Sequence, residues 1–337
     1  MQNGKPLSIL FCGFRHGHIH ALYKKVAASD LFTLAGCIEP NEEARKAAEE
    51  KLGAVFSDVS YEDWLKTDID AVAIGSAYGQ RGELIRKALL AGKHVLSDKP
   101  ICTSLAEFSA LRRITKRNGT KLGCMLDLRY LGQTIAARSI LKSGRLGEVR
   151  NISVSGQHCI DYDHRPAWYF EPGMHGGTIN DLAIHGVDLI RMLTDMRITH
   201  IDSARVWNSY AAKHPDFKDS ALLMARLENG AGILMDVSYS APPEVFSMPT
   251  YWEFRIWCER GLLTFSYNDT AVTLYEAGVK EPIRIPPSPP CGDYLTEFYH
   301  EIVTDSSAMT ENVLRSTETA LCLQVAADQA EDQEVEP

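Results

Sequence analysis

No apolar run in this sequence approaches the roughly 20 residues that a bilayer-spanning helix needs, so a transmembrane protein is not expected. Its eight cysteines, Cys12, Cys37, Cys102, Cys124, Cys159, Cys258, Cys291 and Cys322, contain no C-x-x-C pair and are widely scattered. That usage suits reduced thiols in a cytosolic core rather than a disulfide framework or a zinc site. Positive charge is scarce: 35 Lys and Arg against 44 Asp and Glu leave a net charge of -9. This argues against a nucleic-acid surface and offers no polybasic membrane patch. The opening MQNGKPLSILFCGF carries only a short apolar run, so no signal peptide is expected, and the location is read as cytoplasmic. There is no internal repeat, and the full G-x-G-x-x-G fingerprint is missing.

What is present is ordinary globular usage, 45% apolar and 23% charged over 337 residues, a length that favours two domains. SILFCGF, FTLAGCIE, AVAIGSA, HVLSDKP and KLGCMLD read as strands, with NEEARKAAEEKLG and GELIRKALLAGK as helices between them. This alternation predicts βαβ units and a parallel sheet. From VRNISVSGQ onward seven strand-like runs follow one another, with short turns such as Glu228-Asn229-Gly230 and Glu259-Arg260-Gly261. A helix near 178–194 and a helical segment near 292–328 flank them, and IPPSPP (285–290) reads as a linker returning toward the first domain. The expected fold is α/β: a Rossmann domain over 1–126, an α+β domain with a large, mostly antiparallel open sheet over 127–330, and a frayed tail at 331–337.

The first strand runs into Arg15-His16-Gly17-His18 and a helix start. Amides and helix dipole there would favour a dinucleotide pyrophosphate, although only Gly13 and Gly17 remain of the glycine pattern and a plain βα turn could carry the same residues. Glu39 closes the second strand 26 residues after Gly13, where a carboxylate accepts ribose hydroxyls and repels a 2′-phosphate. NAD is therefore favoured, with Arg15 and Arg45 leaving NADP open. His16, His18 and His20 invite a metal, and His16 and His20 could share a helical face. No carboxylate or thiolate stands at matching spacing, so no metal is expected; the histidines are read as lining the turn, capping the helix or contacting phosphate.

Two longer motifs carry a resemblance. Ala91-Gly92-Lys93-His94-Val95-Leu96-Ser97-Asp98-Lys99-Pro100 and Gly176-Gly177-Thr178-Ile179-Asn180-Asp181-Leu182-Ala183-Ile184-His185-Gly186-Val187-Asp188, with Gly144–Val149 and the Trp168 region, resemble the glucose–fructose oxidoreductase/inositol dehydrogenase (Gfo/Idh/MocA) family over nearly the whole chain. The resemblance implies a Rossmann domain followed by an open-sheet domain whose free face forms an oligomer contact. It also implies that Lys99, Asp181 and His185 converge on nicotinamide and substrate as catalytic groups. The expected cofactor set is Gly13, Phe14, Arg15, His16, Gly17, Glu39, Ser76, Arg81, Asp98 and Lys99. Asp98 replaces the family's usual Glu, and Ser76-Ala77-Tyr78-Gly79-Gln80-Arg81 stands where many members have T-P-N-x-x-H.

Oxidising a secondary alcohol needs a base within reach of the hydroxyl proton. An imidazole such as His185 titrates near neutral pH, Asp181 lies four residues earlier on the same predicted helical face, and Asp188 three residues later is expected to support the ring. Lys99 follows the fourth strand at its carboxyl end, where open α/β sheets place ligands, and could stabilise alkoxide or pass on the proton. Arg129, His164 and Trp168, together with Asp181 and His185, are the expected substrate contacts, Trp168 offering a stacking face for a sugar or polyol. The leading expectation is an NAD(P)-dependent dehydrogenase of a sugar, cyclitol or related polyol that forms a homo-oligomer and binds neither nucleic acid nor membrane. The alternatives are an NAD-dependent glycosidase of the same fold, without net redox change, and a non-catalytic nucleotide-sensing regulator.

Overall fold

The structure, a computed structural model, describes residues 5–331. The expected tail therefore lies outside the described residues from position 332 on. The chain divides into two compact units. One holds the residues through Leu126 together with Pro166–Gly176 and Gly292–Glu318; the other holds Asp127–Arg165, Gly177–Cys291 and the residues from Thr319. The sequence reading ran its second domain unbroken from 127 to 330, and two of its segments instead join the first unit. Their side chains explain why: Trp168 and Tyr169 are buried against Tyr78, and Phe298 stacks on Phe32.

In the first unit β1 (Leu7–Cys12), β2 (Phe32–Ile38), β3 (Ala71–Ile74), β4 (His94–Ser97) and β5 (Leu122–Cys124) form a parallel sheet in the order β2-β1-β3-β4-β5. β3 is buried along its whole length, as a strand covered on both faces must be, and its AVAI is accordingly apolar throughout. The helices α1 (His18–Ala27), α2 (Glu42–Leu52), α3 (Tyr61–Trp64), α4 (Tyr78–Leu90) and α5 (Leu105–Asn118) connect the strands. Local chemistry sets their ends. The Asn41 side chain accepts from the Ala44 N–H to start α2, and Gly53 ends it at φ +64°. At α5, Ser104 accepts from the Glu107 N–H while Glu107 reaches back to the Thr103 N–H, and Gly119 closes the helix at φ +67°. α4 begins four residues before the expected Gly82, because Tyr78 and Arg81 turn inward and make a buried first turn of a segment that reads as polar.

The second unit contains α6 (Gly132–Lys142) and a sheet of β6 (Val149–Ser155), β7 (Ile198–Trp207), β8 (Ser220–Leu227), β9 (Gly232–Asp236), β10 (Glu253–Cys258), β11 (Gly261–Phe265), β12 (Val272–Glu276) and β13 (Ile283–Ile285). Their order is β13-β12-β11-β10-β6-β9-β8-β7, with β6 and β9 parallel and the other neighbours antiparallel. The short β13 was not expected. β8 alternates: Leu223, Ala225 and Leu227 are buried while Leu222 and Met224 face outward, the period-two pattern of a sheet covered on one face. The expected helix near 178–194 opens as a π-helical turn, Ile179–Ala183, and continues as α7 (Ile184–Thr194). The expected helical segment near 292–328 is two helices, α8 (Tyr294–Val303) and α9 (Ala308–Asp328), broken around Asp305 at φ +53°. Among the described residues no helix is long and apolar enough to cross a membrane.

Candidate active site

At the carboxyl end of β1, Gly13 adopts φ +86°, and a Cβ there would stand 2.6 Å from the Ser76 nitrogen. Only glycine lets the first and third strand ends approach so closely. A cavity of about 940 Å³ opens beside this crossing, lined by Gly13, Arg15, Glu39, Asn41, Ser76 and neighbouring residues. The Glu39 carboxylate accepts the Phe14 N–H at 2.5 Å and the Asn41 N–H at 2.7 Å, which ties the end of β2 to the turn after β1. The Arg15 and His16 amides both donate to the Gly75 carbonyl. Gly17 and His18 open α1, where first-turn amides lack intrahelical acceptors. These are the turn's phosphate-facing candidates, rather than the amides of Phe14, Arg15 and His16. Ser76 Oγ is buried without a hydrogen-bond partner and lies on the cavity wall, an unsatisfied polar group that a ligand hydroxyl or phosphate would complete. A glycine cradle, a strand-end carboxylate and an orphaned hydroxyl around one cavity fit a dinucleotide.

His16, His18 and Arg81 gather on one buried carboxylate, Asp98. His16 points away from the cavity onto Asp98, with Nδ1 2.5 Å from Oδ2, and its Nε2 meets the Tyr78 hydroxyl at 3.1 Å. His18 also reaches Asp98, Nδ1 to Oδ1 at 3.1 Å. Arg81 is fully buried and donates to the same carboxylate at 2.9 Å. Asp98 and Arg81 are thus partners of each other within the interior. Burial alone would raise the Asp98 carboxyl, but the Arg81 guanidinium and the imidazoles hold it well below the usual carboxylate range. Burial lowers His16 to about 3, against the pull of Asp98, so the ring is neutral at neutral pH with Nδ1–H donating to Asp98. The Tyr78 hydroxyl continues the chain to the Tyr169 hydroxyl at 2.9 Å. Ligand atoms of His16, His18 and Asp98 lie within 4.8 Å of one another, a spacing that also suits a metal ion. Spacing along the chain pairs His16 with His20, because the carboxylate that gathers His16 and His18 lies 80 residues away. His20 instead sits beside the Phe14 ring with Nε2 unpartnered.

In the second unit the π-helical turn carries Asp181, and His185 follows in the first turn of α7. Both are buried. The Tyr239 hydroxyl donates to Asp181 Oδ2, and the Trp252 ring lies 5.5 Å from the His185 ring at 68°. Trp252 holds φ +50°, a conformation costly for a bulky side chain and maintained only where surroundings over-determine it. His158 sits among Tyr239, Tyr251, Trp252 and Phe246, so an aromatic wall flanks the Asp181–His185 pair. Neither Tyr239 nor Trp252 was expected; each stands just outside a strand, and an aromatic at a strand end is the only local signal.

The expected substrate residues separate. Arg129 holds Asp188 through a two-toothed pair at 3.0 and 2.9 Å, so Asp188 braces Arg129 as well as standing one turn from His185. His164 is largely exposed in a turn with Asp161, 2.8 Å away, a contact that raises its pKa through the hydrogen bond. Trp168 belongs to the first unit and is only 1% exposed: its ring packs on Tyr78 and Tyr169 and its Nε1 donates to the Arg15 carbonyl. It therefore presents no open stacking face.

Residues 7–125 match the family model described as an oxidoreductase family with NAD-binding Rossmann fold, and residues 134–264 match the GFO/IDH/MocA C-terminal domain. Among curated relatives, an inositol 2-dehydrogenase of Rhizobium meliloti is 29% identical over 44% of this chain and 44% of its own. A D-xylose dehydrogenase of Paenarthrobacter nicotinovorans is 28% identical over 35% of this chain and 31% of its own. The chain spans half the length or less of the first curated relatives it matches. Solved structures match more completely at lower identity. An aldose-aldose oxidoreductase from Caulobacter crescentus, complexed with glycerol, gives a TM-score of 0.80 at 19% identity over 96% of this chain and 98% of its own. A levoglucosan dehydrogenase complexed with NADH gives 0.80 at 18% identity over 96% and 97%. The parallel-sheet unit with its glycine cradle and strand-end carboxylate, the open-sheet unit and both family matches make this chain a member of the Gfo/Idh/MocA oxidoreductase family with an NAD-binding Rossmann domain.

Proposed function

We propose that this protein is an NAD-dependent dehydrogenase that oxidises a secondary alcohol of a sugar, cyclitol or related polyol, with Lys99, Asp181 and His185 handling the proton. The observation that carries the reading is the buried acid–base pair of the second unit: Asp181, held by Tyr239, one turn from His185, with aromatic rings beside it. Bound NAD supplies a hydride acceptor. The protein's part is to take the hydroxyl proton, and an imidazole oriented by a neighbouring carboxylate is suited to it. The Lys99 ammonium stabilises negative charge developing on the substrate oxygen or receives the proton itself. Tyr239, by donating to Asp181 Oδ2, fixes the carboxylate one turn from the imidazole. Named activities of sugar and cyclitol dehydrogenases among the relatives support this substrate class.

NAD is favoured over NADP because the cavity wall presents Glu39 and Asp58, which repel a 2′-phosphate, while Arg45 is engaged by Asp58 at 3.1 Å and Glu49 at 3.3 Å. A reducing, cytoplasmic setting accords with eight free cysteines, six of them buried. A second copy of the chain on the outer face of the open sheet is the proposed partner, since Leu222, Met224, Leu234 and Trp257 are exposed there.

The test is NAD and NADP reduction against a panel of sugars and polyols. The expected result is NADH accumulating with at least one substrate, and a loss of about 10²–10⁴-fold in Lys99→Met and in His185→Ala with NAD binding retained. Turnover surviving both substitutions overturns the catalytic assignment. Sugar released without net NADH would instead indicate the glycosidase chemistry.

A further inference from the structure

We infer, resting on the reading of Lys99 as a proton-handling group, that Arg81 is a positioning residue which clamps the Lys99 main chain and so aims its ammonium. Arg81 lies in the first turn of α4 and is wholly buried. Its Nε donates to the Ser76 carbonyl at 2.9 Å, Nη1 to the Lys99 carbonyl and, at 3.2 Å, to the Pro100 carbonyl, and Nη2 to Asp98 Oδ2 at 2.9 Å. The other Asp98 oxygen accepts the Lys99 N–H at 2.8 Å. Lys99 is therefore gripped on both sides, its N–H by Asp98 and its C=O by Arg81, and the two holders bond each other.

Closing that ring removes freedom from the peptide units flanking the Lys99 Cα and so fixes the direction in which the side chain leaves the backbone. Tyr78 completes the clamp: its ring lies 4.4 Å from the Arg81 guanidinium carbon and 5.9 Å from Lys99 Nζ. His16 and His18 hold Asp98 from the remaining directions. A planar guanidinium can serve Ser76, Lys99, Pro100 and Asp98 at once; a lysine ammonium at this place has three donors and no fork. Because Ser76 also walls the dinucleotide cavity, one buried side chain ties the cofactor-side turn to the catalytic lysine. Arg81 is wholly buried and does not line the dinucleotide cavity, so its effect runs through Lys99.

The test uses the full chain with Arg81→Lys. Competitive acetylation with acetic anhydride, read by peptide mass spectrometry, reports Lys99 directly, with buried Lys121, held by Asp305 at 2.7 Å, as internal control. Expected is a rise of about tenfold or more in the Lys99 rate with Lys121 unchanged, as local rather than global opening produces. With a substrate from the panel above, kcat falls about 100-fold, the scale of a reacting group misplaced by 1 Å, while NAD affinity changes little. In the Lys99→Met background the same change has no further effect on kcat. An unaltered Lys99 rate, Lys99 and Lys121 rising together, or effects that add in the double variant overturns the inference. Should Lys99→Met alone retain full turnover, the catalytic reading fails, and the acetylation result still decides the clamp. If Arg81→Lys does not fold, Arg81→Gln, which keeps a donor for the two carbonyls, takes its place under the same outcomes.

Discussion

A buried histidine beside a buried carboxylate sets a pH dependence whose sign follows from His16 and Asp98. The folded protein holds His16 at about 3, whereas an unfolded chain protonates a histidine near 6.5. Between those values the unfolded state binds the extra proton, so stability is complete above pH 6.5 and declines as pH falls toward 3. Asp98, held low, adds a loss of the same direction only below the ordinary carboxylate range. Urea unfolding at pH 7 and pH 5 therefore isolates the histidine: the wild-type protein should lose about 2 kcal/mol more over that interval than His16→Gln does. Equal losses in both proteins would mean that folded and unfolded states protonate His16 alike, and would remove its burial from the account.

At the scale of elements, the helix that carries Asp181 and His185 begins under the control of a distant side chain. Gln324 Oε1, on α9, accepts the Ile179 N–H at 2.9 Å and the Asn180 N–H at 3.3 Å, both donors that a helix start leaves unpaired. A Cβ on Gly177 would stand 2.2 Å from the Gln324 side chain, so the glycine pair before the helix makes room for this cap. Gln324→Leu leaves two buried N–H groups without that acceptor and Asp328 without its Nε2 donor and should cost about 2 kcal/mol, whereas Gln324→Asn, which keeps an acceptor and a donor and adds no charge, costs less. Thermal unfolding of the two variants checks the order, and equal stability of Gln324→Leu and wild type would remove the cap from the account. The π-helical turn at Ile179–Ala183 carries Asp181 of the proposed catalytic set, and such turns are frequent at functional sites.

Considered as a whole molecule, the chain has one sheet buried by helices and one whose outer face exposes Leu222, Met224, Leu234 and Trp257 alongside Arg226 and Arg255. Met224 on β8 and Leu234 on β9 are register partners there, each about half exposed. A solvent-facing antiparallel sheet is ordinarily polar, and these exposed apolar residues are the ones the proposed second copy would cover. Replacing the pair by Met224→Lys and Leu234→Glu should convert the proposed oligomer to single-chain mass in light scattering while leaving the circular-dichroism spectrum of the fold intact. A wild-type protein already at single-chain mass would overturn the second-copy assignment.

What the sequence by itself determined is what local chemistry controls. Strand and helix order followed from apolar periodicity, and the family from two contiguous motifs, D-K-P and D-x-x-x-H. Glu39 was legible for the same reason, since its distance from Gly13 is a spacing along one chain. Tertiary structure alone decided which buried polar groups became partners. Arg81 and Asp98, His16 and Tyr78, Arg129 and Asp188, and Tyr239 and Asp181 lie 17 to 62 residues apart, and no periodicity encodes such pairs. A charge removed from water must find a complementary group wherever the packed fold brings one. Trp168 went the same way: its aromatic character was plain in the sequence, but whether it would face a sugar or Tyr78 depended on which unit its segment joined.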